Sequence, residues 1–187
     1  MNIIVNPAPA AAIVPPSVDD SLYEIIDGQR VELLPMSVTA TLVTTALTGH
    51  LFSQTKASGR TAMEGLFHLA LPVDRNRRPD IAFVSFDRWA KDRPVGSENA
   101  WDVVPDAAIE VISPSDMIED LLVKLDEYFR AGVRLAWVVF PQQQLVYVYE
   151  SFTQIRVLTR ADTLEGGAVV PGFRLALSEL FPQAPST

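Results

Sequence analysis

VPDAAIEVISPSDMIEDLLVKLDEYFRAGVRLAWVVF, residues 104–140, decides the fold. Its first part, to Ser113, alternates little and is apolar on both faces except at Glu110, as a buried strand reads. Ser113-Pro114-Ser115-Asp116 is a helix-start signal: Ser113 as N-cap with Pro114 in the first turn, or Asp116 as N-cap with Glu119 completing a capping box. Met117, Leu121, Leu125 and Tyr128 then form an inward stripe, and Gly132 stops the helix. VRLAWVVF (133–140) is a second apolar strand, so the stretch is a strand–helix–strand unit.

Outward from this unit, residues 22–34 read as a hairpin, LYEII and QRVELL around Asp27-Gly28, the favoured two-residue turn. Residues 37–57 read as a helix with an apolar row at Val38, Leu42, Ala46 and Phe52, ended by Ser58-Gly59. TAMEGLFHLAL (61–71) and IAFVS (81–85) are predicted strands, FDRWAKD (86–92) a short helix or turn, and residues 91–102 a polar loop. Two strands follow the central unit, QLVYVYES (144–151) and TQIRVLTR (153–160). Residues 166–181 give a strand or turn and a short terminal helix. Residues 1–17, with four prolines and several alanines, read as a flexible arm, and 18–187 as a single domain. The fold class is α/β: a central mixed β-sheet flanked by helices, preceded by an N-terminal β-hairpin.

Composition narrows the chemistry. The 187 residues contain no cysteine, which removes disulfides, thiolate metal sites and cysteine nucleophiles. Two histidines leave little room for a His-built zinc site or a Ser-His-Asp triad. The 15 Lys+Arg against 23 Asp+Glu leave a net charge of −8, which opposes strong non-specific nucleic-acid binding. No apolar run approaches the ~20 residues of a spanning helix, and a soluble cytoplasmic protein is the default reading.

Three residues stand out. Glu110 shares a strand face with Ala108 and Ile112, where an unpaired carboxylate is costly. It needs a cation, a hydrogen-bonding partner or a metal, unless it is an Arg-paired structural residue or sits at a sheet rim. Asp80 follows Pro79 at the mouth of IAFVS, a pair that also occurs in ordinary turns. Lys124 edges the apolar stripe of its helix; it pairs with Asp120 four residues earlier, or snorkels with its stem over the core. Two carboxylates on neighbouring strands and one lysine suit a Mg²⁺ ion acting on a phosphate. Residues 74–93 hold six basic and four acidic side chains, a strip that either approaches a nucleic-acid backbone or forms a solvated loop face.

RRPDIAFVS (77–85), IEVISPSD (109–116) and VKLDEYFRAGVRLAWVVFP (123–141), with YEIIDGQRVEL (23–33) upstream, resemble the Uma-two family of predicted endonucleases. That family is a branch of the PD-(D/E)XK restriction-endonuclease-like superfamily. The resemblance implies a restriction-endonuclease-like fold and a Mg²⁺-dependent endonuclease, with Mn²⁺ as a substitute, acting on nucleic acid, DNA first. It assigns Asp80 and Glu110 as metal ligands, Lys124 as the catalytic lysine, Glu24 as an acidic residue completing the site, and the Ile112 carbonyl as a further ligand. The superfamily lysine ordinarily sits two residues after the acid, here Ile112; in this family it lies on the following helix. Two positions depart from the pattern: no histidine begins the first long helix, and Phe140 replaces an aspartate in Trp137-Val138-Val139-Phe140-Pro141. They motivate a different reading, a catalytically inactive nuclease-fold binding or scaffold module. The apolar strands of residues 133–160 hint at an edge that a homodimer would cover.

Overall fold

The computed structural model describes residues 21–181; the N-terminal arm expected at 1–17 lies outside them. Strands β1 (Tyr23–Ile26) and β2 (Gln29–Glu32) form the hairpin, with Ile26 opposite Gln29. Asp27 and Gly28 both have positive φ, 52° and 74°, the conformation that a tight two-residue hairpin turn requires. Helix α1 (Val38–Thr55) begins where the Ser37 hydroxyl accepts from Ala40 N–H at 3.2 Å. Its threonines tolerate the helix partly because Thr41, Thr45 and Thr55 hydroxyls donate to carbonyls four residues back.

The predicted long strand at 61–71 is broken. β3 (Gly59–Met63) ends at Glu64, whose φ is 50°, and β4 (Phe67–His68) belongs to a different sheet. β5 (Arg75–Arg77) escapes a hydropathy reading because its residues are Arg-Asn-Arg. β6 (Ile81–Ser85), β7 (Ala107–Val111), helix α2 (Ile118–Ala131) and β8 (Leu135–Phe140) follow the expected order. Gly132 closes α2 in the left-handed region at φ 103°. Neither expected N-cap forms: α2 starts after Met117, and the Asp116 carboxylate accepts from Ser113 N–H at 2.7 Å in the preceding turn. β9 (Leu145–Ser151), β10 (Gln154–Thr159), β11 (Thr163–Glu165), β12 (Arg174–Ala176) and the short α3 (Leu177–Leu180) complete the described chain.

The main sheet has the order β10-β9-β8-β7-β6-β3, with β7 and β8 parallel and all other neighbours antiparallel, so it is mixed. A second sheet, β2-β1-β5-β4, carries the hairpin. The chain is therefore an α/β fold, a mixed sheet with flanking helices and an N-terminal β-hairpin, as the sequence leads one to expect.

The period of two assigns the faces. Ile109 and Val111 of β7 and Trp137 and Val139 of β8 join Leu47 and Leu51 of α1 in one core. Ala108, Ala136 and Val138 point the other way and pack with Leu121, Leu125 and Tyr128 of α2. Met117, placed in that inward stripe by its spacing, is exposed because it precedes the first helical turn. The row expected to face inward on α1 is also displaced: Val38, Leu42, Ala46 and Phe52 are exposed, while Ala40, Val43, Leu47 and Leu51 are buried. Apolar residues ring this helix, so periodicity alone could not select the face.

Candidate active site

Three elements meet at the end of the sheet where β6 begins and β7 ends. Ile81 pairs with Ile109, which places Asp80 one step outside β6, abreast of Glu110 and on the α2 side. The Asp80 carboxylate is fixed by accepting from Val111 N–H through Oδ2 at 2.6 Å; among the described residues its Oδ1 takes no hydrogen bond. Glu110 is held at both oxygens. Oε1 accepts from the Tyr128 hydroxyl at 2.6 Å, and Oε2 accepts from Lys124 Nζ at 3.1 Å.

Lys124 does not pair with Asp120. Its ammonium lies between Glu110 and Glu24, 3.2 Å from Glu24 Oε1, with its side chain mostly buried. Glu24 is the buried residue of the hairpin. Its Oε2 accepts from Arg77 Nη1 at 2.6 Å, and its Oε1 accepts from Arg78 N–H at 2.9 Å. Arg77 also donates through Nε to Glu127 at 2.6 Å, and Glu127 pairs with Arg75, which reaches Asp27 in the hairpin turn. An alternating ladder of acids and bases thus runs from the turn of β1–β2 to Glu110, tying the small sheet to α2 and the main sheet.

Burial and charge set the protonation. Burial pushes the Asp80 carboxyl up to about 7, and the neighbouring Glu110 charge adds to it. Burial also raises Glu110, against the pull of Lys124 and Tyr128. Burial would raise Glu24 too, but Lys124, Arg77 and the Arg78 N–H hold it below the usual glutamate range. Lys124 loses solvation, yet three acids drive it above the ordinary lysine value, so it stays an ammonium ion.

All four expected side chains, Glu24, Asp80, Glu110 and Lys124, line one cavity of about 610 Å³, and Ile112 lines it as well. Tyr128 and Glu127 were missed as polar partners. Their signal was spacing: Lys124, Glu127 and Tyr128 share one face of α2 at steps of three and four. The basic strip of 74–93 is largely consumed internally. Arg75 and Arg77 are buried in the ladder, and Arg88 pairs with Asp106. His68 is a satisfied edge residue, its Nδ1 2.9 Å from Asn76 Oδ1.

Among the described residues no three acidic or histidine side chains form a metal-binding group. The donor chemistry nevertheless fits a hard divalent ion. Asp80 Oδ1 and the Glu110 carboxylate sit in one solvent-connected cavity, and Mg²⁺ needs only one or two carboxylates beside its waters. Both oxygens of Glu110 are engaged by Lys124 and Tyr128, so a metal would have to displace one of them; Glu24 fits a third-ligand role less well, since its oxygens are held by three donors, Arg77, Arg78 N–H and Lys124.

The Uma2 family profile, described as "Putative restriction endonuclease", matches residues 15–178. No curated protein matches the chain. Among solved structures, the chain is similar to "a putative nuclease belonging to DUF820 from Anabaena variabilis ATCC 29413". The TM-score is 0.74 at 18% identity, over 85% of this chain and 89% of that one. At that identity the likeness concerns the fold.

Proposed function

The chain belongs to the Uma2 family, a family of restriction-endonuclease type, and on that premise we propose that it is a divalent-metal-dependent endonuclease hydrolysing phosphodiester bonds in DNA. The observation that carries the reading is that Asp80 and Glu110, on the α2 face of β6–β7, and Lys124, on α2 itself, line one cavity. Asp80 and Glu110, with the Ile112 carbonyl as a further ligand, would hold Mg²⁺ or Mn²⁺, which when bound polarises a phosphate oxygen and acidifies bound water.

The remaining work falls to this chain's own side chains. Lys124 is a hydrogen-bond donor and a fixed positive charge, not a base, because Glu110 and Glu24 keep it protonated. Its ammonium would neutralise charge gathering on the phosphorane oxygens. Tyr128 fixes the rotamer of Glu110, and Glu24 supplies the second counter-charge that positions Lys124. In the balanced step a water oxygen bonds to phosphorus while the P–O bond to the leaving sugar oxygen breaks. The water proton departs to solvent through the open cavity, and the sugar oxygen is protonated from solvent.

The test is a nuclease assay on plasmid, linear and single-stranded DNA with Mg²⁺ or Mn²⁺. Cleavage is expected for the wild type and absent in Asp80→Asn and Glu110→Gln. Cleavage that survives Asp80→Asn rules out this site. A second reading, an inactive nuclease-fold module, is favoured by one observation: Lys124 and Tyr128 already satisfy both Glu110 oxygens. Calorimetry separates the two. Mg²⁺ or Mn²⁺ heat that vanishes in Glu110→Gln supports the enzyme, whereas no binding at millimolar metal supports the module.

A further inference from the structure

A second cavity of about 280 Å³ adjoins the first and shares Ile112, Ser113, Asp116, Met117 and Leu121 with it. Its remaining walls are Pro114 and Ile118 on one side and Phe140, Gln142 and Gln143 on the other. Register fixes where it sits. Glu110 is opposite Val138, both on the α2 face, and Ile112 N–H donates to Val139 at 2.9 Å. Ile112 and Phe140 are therefore the next positions on that same face, about 6.6 Å further along the strands. Phe140 is half-buried, with the Tyr147 ring packed against it at a centroid distance of 4.8 Å. Gln142 and Gln143 are exposed in the turn that leads into β9.

An aromatic ring, aliphatic walls and two primary amides, each both donor and acceptor, are the groups that recognise an unstacked nucleobase. The electrostatics point the same way. A duplex is gripped through many phosphates by a strip of free cations, and here Arg75, Arg77 and Arg88 are spent on internal carboxylates. Arg78 donates to the Tyr23 and Glu64 carbonyls. Lys91 and Arg93 are exposed but line neither cavity. We propose that the second cavity takes an unpaired nucleobase beside the phosphate site, so that the substrate is single-stranded nucleic acid in preference to duplex. The phosphate half of this statement rests on the nuclease reading; the base half rests on the second cavity alone.

The experiment is fluorescence-anisotropy binding of labelled DNA and RNA single strands of about 12 nucleotides, and of the matching duplexes, in EDTA and again in Ca²⁺. The full chain is compared with Phe140→Leu, which keeps the packing against Tyr147 but removes the ring, and with Gln142→Ala/Gln143→Ala, which alters only an exposed turn. Single strands are expected to bind at least about fivefold tighter than duplex, with at least about fivefold lost in Phe140→Leu. A shallow salt slope, about −1 to −2 in log–log form, accompanies few phosphate contacts. Duplex binding as tight as single-strand binding overturns the proposal, as does an affinity unchanged in both variants. The two readings fail separately. Single-strand binding with no cleavage in Mg²⁺ or Mn²⁺ strikes the nuclease reading alone, whereas cleavage of both forms, unchanged in Phe140→Leu, strikes the base cavity alone.

Discussion

Asp80→Asn should stabilise the metal-free protein at neutral to alkaline pH while abolishing the proposed activity. In the folded chain the Asp80 carboxyl sits at about 7, against an ordinary 3.8. That displacement corresponds to about 4 kcal/mol of unfavourable charging when the site is fully ionised. The sign follows from proton counting. Between about pH 4 and 7 the folded chain holds a proton that the unfolded chain has lost, so stability falls as pH rises, by up to about 1.4 kcal/mol per unit, and levels off above 7. Asparagine, like the protonated acid, keeps an acceptor for Val111 N–H, and the charge assistance that the ionised acid gives that 2.6 Å bond is already contained in the folded-state pKa. The net gain is therefore about 4 kcal/mol at pH 8, or about 8–16 °C in Tm for a chain of this size, and it shrinks to about 1 kcal/mol near pH 4.5. The assay is urea or thermal unfolding of both proteins in EDTA from pH 4.5 to 8.5. Glu110 is raised too and contributes a slope to both proteins, so the difference between the profiles is the quantity to read. A difference that does not grow between pH 5 and 7, or an Asp80→Asn protein less stable at pH 8, refutes the reasoning.

Arg77→Met strands Glu24 and Glu127 in the interior and should cost about 3–5 kcal/mol in urea unfolding, whereas Arg130→Ala, which breaks the exposed pair with Asp126, should stay within about 0.5 kcal/mol. Tyr128→Phe leaves Glu110 Oε1 without its donor; a loss of about 1–3 kcal/mol is expected by chemical denaturation. Gly59→Ala would place a Cβ 2.5 Å from the Val84 carbonyl oxygen and the Phe83 ring, so a clear drop in Tm is expected where Gly49→Ala, with open space around its Cβ, loses nothing.

Legibility in the sequence followed physical simplicity. The Asp27-Gly28 turn and Gly132 were readable because backbone conformation at positive φ selects few residue types. Glu110 was readable because a carboxylate inside an apolar strand is an anomaly at any register. β5 was not, since Arg75 and Arg77 are buried only by virtue of Glu24 and Glu127, which come from the hairpin and from α2. Hydropathy reads such residues one at a time and calls them exposed; only pairing across roughly 50 residues of chain makes them interior. The same non-locality hid the partners of Lys124. Asp120 is its neighbour along the helix, but the Lys124 ammonium meets Glu110 at 3.1 Å and Glu24 at 3.2 Å, carboxylates that β7 and the hairpin bring to it from distant parts of the chain.

That the lysine beside Glu110 comes from α2 and not from β7 has a consequence for the second cavity. At Ile112 a lysine would share the face of Glu110, and its ammonium would stand between that acid and Phe140. With the lysine supplied by α2 instead, its charge is delivered to Glu110 from the opposite wall, and position 112 is released to an apolar side chain that packs beside Leu121 and Phe140. Lys124 therefore accounts for both the charge beside Glu110 and the absence of charge at the next step along the strands. On this argument Ile112→Lys should leave the Lys124–Glu110 pair in place yet weaken single-strand binding to the level of Phe140→Leu, because it puts a solvated cation where a base ring would lie. Anisotropy on the same oligonucleotides decides it: single-strand affinity that rises in Ile112→Lys would mean that phosphate attraction, not base burial, governs this cavity.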